Sequence, residues 1–153
     1  RLLRAGVPVN NQTVLLRGIN DSVKTQTELC HALLKAKVRP YYLFQCDEVQ
    51  GTEHLRTSVE TGIKIIEGMR GYTSGLAVPN FVVDLVQGGG KVPLQPNYVL
   101  SMNESELLLK NYEGKVFRYR NPNSQISKEE TVAAPVSGVV ESLLADADVP
   151  VKV

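Results

Sequence analysis

Cysteine is scarce in this chain: Cys30 and Cys46 are the whole complement, and His31 and His54 are the only imidazoles. Their spacing forms no CxxC pair and no finger pattern, so no residue here is assigned to a metal. Both thiols are expected to be free, in a reducing, cytoplasmic setting. Charge of one sign is also lacking. Seventeen basic residues face 16 acidic ones, for a net charge of +1, which argues against nucleic acid or a membrane surface as partner. No apolar run approaches the ~20 residues that span a bilayer. Internal repeats, low-complexity runs and a signal-peptide pattern are absent. So is an initiator methionine: Arg1 to Gly6 reads as the end of a helix closed by a glycine, with Pro8 beyond it. The chain is expected to be a piece of a longer protein, without its first half.

What is present suits one ordinary domain, with 153 residues, 42% of them apolar. Val9 to Leu16 fits a short strand. Asp21 or Ser22 can cap a helix running to about Lys37, with Leu29, Ala32, Leu33 and Ala36 predicted as its core-facing stripe. Pro40 to Gln45 is an aromatic-rich strand ending in Cys46-Asp47. Strand, helix, strand over so short a span is a βαβ unit, hence parallel pairing and a right-handed crossover. A second helix is predicted from Ser58 to Met69, with Val59, Ile63, Ile66 and Met69 inward. The strand Phe81–Asp84 follows, and again an acid ends an apolar strand. Beyond Lys91 the pattern turns extended. Tyr98–Met102 reads as one segment, and Leu107–Asn111 with Val116–Arg120 as a hairpin turning near Glu113-Gly114.

The stretch Phe81 to Pro96 carries the candidate chemistry. Three glycines, Gly88, Gly89 and Gly90, precede a single lysine, Lys91. Adjacent glycines cost backbone entropy, which suggests that the backbone must bend or be approached closely there. A lysine in such a place can act as an amine nucleophile towards a carbonyl, the Schiff-base chemistry of pyridoxal phosphate. It can equally be a solvated lysine on a flexible loop. Asp47 and Asp84 end successive parallel strands, which lie ~5 Å apart if adjacent, so the two carboxylates can converge on one cation. Alternatively each caps its own loop.

Read together, NQTVLLRGIND (11–21), RPYYLFQCD (39–47), TGIKIIEGMRGYTSGLAVPNFVVD (61–84), GGGK (88–91) and PNYVL (96–100) resemble the lysine 2,3-aminomutase family. The resemblance covers about Pro8 to Pro122. It implies an α/β fold: the C-terminal half of a partial (β/α) TIM-like radical S-adenosylmethionine barrel over 1–92, an antiparallel β extension closing the site over 93–122, and a polar tail, a possible oligomer contact, over 123–153. The implied activity is that of an isomerase, L-lysine 2,3-aminomutase. It moves the 2-amino group of L-lysine to C3 by a radical mechanism on a pyridoxal phosphate aldimine. Pyridoxal phosphate, S-adenosylmethionine and a 4Fe–4S cluster are the implied cofactors, the cluster's ligands lying outside this chain.

By the same resemblance Lys91 matches the coenzyme-binding lysine, in the loop Gly88, Gly89, Gly90. Asp47 and Asp84 match the acids holding the substrate's side-chain ammonium, and Gln12 matches a position near S-adenosylmethionine. A cation drawn out of water needs such charge compensation. Departures from the family pattern are Val86 for a proline, Gln87 for a further glycine, and no cysteine after Pro122, where some relatives bind zinc at a subunit contact. The full-length protein is expected to be a homo-oligomer; this piece alone is expected to be inactive and, with strand edges bare, poorly soluble. A relative acting on glutamate or arginine is the nearest rival, though two carboxylates would repel an anionic side chain. A non-catalytic oligomerisation module is the other.

Overall fold

The structure is a computed structural model and describes residues 1–121; the tail expected over 123–153 lies outside them. Nine main elements follow in chain order. They are β1 (Asn10–Leu15), α1 (Val23–Lys35), β2 (Arg39–Gln45), α2 (Val59–Met69), β3 (Asn80–Leu85), β4 (Gly90–Pro93), β5 (Val99–Met102), β6 (Glu106–Lys110) and β7 (Val116–Arg120). Single 3-10 turns at Leu3–Ala5, Glu53–Leu55 and Gly75–Ala77 punctuate the loops. The architecture is mixed α/β with two sheets, and no closed barrel forms among the described residues. None of the described helices is long and apolar enough to cross a membrane.

The first sheet has the order β1-β2-β3-β4. β1, β2 and β3 run parallel in sequence order, and β4 returns antiparallel along β3. Helical crossovers of one hand between sequential neighbours put both helices on the same face of the sheet. The core bears this out: Leu15, Leu43 and Phe81 from the three parallel strands pack with Cys30, Ile65, Ile66 and Met69 of the helices. Burying each of these large side chains is worth about 1.5–3 kcal/mol. Side chains alternate along a strand, so Gln12, Val14, Tyr42, Phe44, Val82 and Asp84 belong to the opposite face. The register agrees, pairing Gln12 with Tyr42, Val14 with Phe44 and Phe44 with Val82. No helix among the described residues covers that face.

Ser22 caps α1 by accepting a hydrogen bond from the Thr25 amide at 3.1 Å. The predicted stripe on α1 is corrected. The buried positions are Gln26 and Cys30, with Leu34 packed against the core, whereas Ala32 and Ala36 are exposed. Gln26 accounts for the rotation. Its amide donates to the Asn20 carbonyl at 2.8 Å, and Asn20 in turn bonds Leu16 and Val14, so the β1–α1 loop holds a polar side chain inward. On α2 the inward residues are Gly62, Ile65, Ile66 and Met69; Val59, expected inward, is 37% exposed. Gly62 is required there, because a Cβ at that position would run into the Phe81 ring.

The glycine stretch is corrected as well. Asp84 does not terminate its strand, and Gly88 to Lys91 is no open loop. β3 continues to Leu85, the chain turns through Val86–Gly89, and β4 pairs back with Asp84 opposite Lys91. Gly88 and Gly90 adopt φ of +79° and +78°, and Gln87 a φ of +56°, all within the left-handed region. The turn therefore consumes the glycines. β4 escaped the sequence reading because Lys91-Val92-Pro93 is too short to show alternation and its proline suits only an edge strand.

The second sheet, β5-β6-β7, is an antiparallel meander, and side chains of β6 and of the β6–β7 turn tie it to the first unit. The Lys110 ammonium donates to Glu67 at 2.8 Å, and the Tyr112 ring lies over Gly71 and edge-on to Tyr72.

Candidate active site

The carboxyl ends of β2 and β3 open into a cleft of about 520 Å³, lined by residues 45–49, Arg56 and residues 83–86. Asp47 and Asp84 both line it. Asp47 stands in the loop after β2, and Asp84 on the open face of β3. Parallel strands of adjacent register put their ends side by side, which is why two acids 37 residues apart in sequence reach one hollow.

Lys91 comes to the same place by strand pairing. Its ammonium donates to Asp84 Oδ1 at 2.6 Å and sits over the rings of Phe44 and Tyr42, 4.5 and 5.5 Å from their centroids. A cation over ring faces gains from the ring quadrupole. The two aromatics belong to the site and were read from sequence only as strand residues; what would have revealed them is their even spacing on β2. Tyr41 is skipped in the β1–β2 register, and its ring lies 4.0 Å from that of Tyr42. The Tyr42 phenol is held above its ordinary pKa by the Tyr41 hydroxyl first, then by desolvation and the negative charge of Asp84.

Charge at the cleft is already partly matched. Arg56 pairs with Glu48 at 2.9 Å and also donates to the Cys46 carbonyl at 3.3 Å. Asp84 is taken by Lys91. Of the three acids lining the cleft, Asp47, Glu48 and Asp84, only Asp47 has a carboxylate without an ion-pair or hydrogen-bond partner among the described residues. Glu48 and Arg56 were not foreseen as site residues, and nothing in a polar loop marks them out. Gln12 lies on the open face two strands away, in register with Tyr42. Gly88 and Gly89 lie in the turn and Gly90 begins β4; none of the three lines the cleft. A second hollow of about 410 Å³, lined by Ser105, Glu106, Arg118 and Arg120, holds none of these groups.

The donor set suits a flat aromatic aldehyde: an amine for the carbonyl carbon, beside an aromatic wall. It does not suit an iron–sulfur cluster. Cys30 and Cys46 are both buried and lie on different elements, and no group of three or more His, Cys, Asp or Glu among the described residues could hold a metal ion.

The class is thus an α/β sheet with an amine and two carboxylates gathered at the carboxyl ends of its parallel strands. The family model for lysine-2,3-aminomutase matches residues 66–148, more than half of the chain. The chain is 53% identical to the L-lysine 2,3-aminomutase of Bacillus subtilis over 129 residues, 84% of this chain and 27% of that protein. It is 55% identical to the enzyme of that name from Fusobacterium nucleatum over 123 residues, 80% of this chain and 29% of the other. The glutamate 2,3-aminomutase of Clostridioides difficile is 48% identical over 118 residues, 77% of this chain and 28% of that one. The chain belongs to the lysine 2,3-aminomutase family. It spans less than a third of the length of these relatives.

Proposed function

We propose that this chain carries the amine and ammonium-binding part of an aminomutase that moves the 2-amino group of L-lysine to C3, giving β-lysine. The observation that carries the reading is the meeting of Asp47 and Asp84 in one cleft with Lys91 beside them. Two carboxylates match a side-chain ammonium, and the unpaired Asp47 is the first to receive it. For glutamate as substrate they would set like charge against like, although a relative of that name is nearly as similar.

Lys91 is the residue that would hold pyridoxal phosphate, with Tyr42 and Phe44 as the wall beside it. The bound coenzyme would supply a conjugated ring able to delocalise an unpaired electron on the substrate. The chain's own residues do the positioning. Asp47 and Asp84 hold the distal ammonium, which orients the carbon chain. The aromatic pair walls one side of the amine, and the β3–β4 hairpin holds Lys91 opposite Asp84. Gln12 is proposed near S-adenosylmethionine, on the face shared with Tyr42.

The sheet geometry supports the finer fold reading, a segment of a (β/α) barrel. Sequential parallel strands with helices on one side leave the other side as an inner face, and ligands bind at the carboxyl ends. The antiparallel extension supports the proposal of a homo-oligomer, since Val99, Met102, Phe117 and Tyr119 expose apolar surface on one side of it.

The test uses the full-length protein, reconstituted anaerobically with its three cofactors and assayed for β-lysine from L-lysine and β-glutamate from L-glutamate. Turnover of lysine over glutamate is expected, with Lys91→Ala losing both the coenzyme's imine absorbance and activity. Preference for glutamate, or normal absorbance in the variant, would sink the reading.

A further inference from the structure

Asp84 is asked to do two things that it cannot do at once. In the structure its Oδ1 accepts from the Lys91 ammonium at 2.6 Å, in an antiparallel pair that places the two residues directly opposite. The proposed function gives the same carboxylate to the substrate's ammonium. Both side chains are partly exposed, at 45% and 36%, so neither is locked and the pair can open. We propose that Asp84 is the counterion of Lys91 until the coenzyme's aldehyde captures the amine, and that this capture frees Asp84 to receive the substrate cation. The inference rests on the reading above and adds an order of events to it.

The step balances without any further reagent. The Lys91 ammonium gives a proton to solvent and leaves Asp84. Its lone pair attacks the aldehyde carbon, the C–N bond forms, and the aldehyde oxygen departs as water to leave an imine. One fixed cation is lost from the sheet face, and Asp84 turns from a neutralised carboxylate into an open one beside Asp47. Before capture the cleft presents one free carboxylate among the described residues; afterwards it presents two. A ligand that binds better to the second state must, by linkage, also favour capture by the same factor.

The experiment uses coenzyme-free full-length protein and pyridoxal phosphate; its rate measurements need no substrate, and none of it needs iron–sulfur chemistry. Imine formation is followed by its absorbance, and borohydride trapping with mass analysis verifies that the bond is on Lys91. Asp84→Asn is expected to form the imine faster than the parent by about two- to fivefold, the range set by a half-exposed ion pair. Asp47→Asn removes the same charge from the same cleft and controls for attraction of the coenzyme phosphate; its rate should match the parent. Asp84→Glu, which keeps the charge, should stay near the parent, and circular dichroism checks that each variant is folded. In calorimetry, L-lysine should bind the coenzyme-loaded parent more tightly than the coenzyme-free one. An unchanged or slower rate in Asp84→Asn, or equal acceleration in Asp47→Asn, overturns the exchange while leaving the lysine assignment standing. No imine on Lys91 in the parent overturns both.

Discussion

Gln87 shows how one side chain can work against its own backbone. It occupies φ +56° between Val86 and Gly88, a conformation that costs an L-residue about 1–2 kcal/mol and glycine almost nothing. Gln87→Gly should therefore raise stability, by about 0.5 kcal/mol after the greater unfolded-state entropy of glycine is subtracted. The urea midpoint measures this. Gly88→Ala, at φ +79°, should lower it by about 1 kcal/mol. Cys30 makes a different prediction. Burial raises its thiol to about 11, from 9.0. A proton is then held more tightly in the folded state, so the stability contribution is complete below about pH 9 and is lost as pH rises towards 11. Between those values Cys30→Ala should lose less stability per pH unit than the parent, as read by denaturant titration at each pH.

At the scale of elements, the crossing of α2 over β3 depends on Gly62. Its missing side chain leaves the space that Phe81 fills, and Phe81 is fully buried. Gly62→Ala should overpack the site and destabilise by about 1–3 kcal/mol despite alanine's better helix propensity. Thermal unfolding of the variant beside a Gly62→Ala/Phe81→Leu double variant checks the cause: the smaller ring-free side chain should recover part of the loss. The face of α1 was misread because its apolar residues at i, i+3, i+4 spacing outnumber the single glutamine that tertiary contacts turned inward. Helix periodicity reports apolar content; it carries no information on a hydrogen bond to a loop carbonyl such as that of Asn20. The β3–β4 hairpin was missed for a related reason, since a four-residue edge strand leaves no period to detect.

For the molecule as a whole, β1 is an edge of the first sheet, and its unpaired side offers free N–H and C=O groups. Isolated residues 1–121 should associate, whereas the full-length protein should run as a defined oligomer; light scattering on both checks this. Replacing Tyr112 by alanine should weaken the docking of the β6–β7 hairpin on Gly71, seen as faster proteolysis within the meander with little change in the first sheet.

Alternation and acids near the ends of apolar strands were enough to reveal the βαβ order, Asp21 or Ser22 as the cap of α1, the β6–β7 hairpin and the candidate residues Asp47, Asp84 and Lys91, because those features are local in the chain. Only the tertiary structure decided that Asp84 and Lys91 face each other across two strands, that Tyr42 and Phe44 lie beneath the amine, and that Glu48 is already spoken for by Arg56. Each of these depends on register and on which face a side chain takes, and both are settled by packing between segments that are distant in sequence.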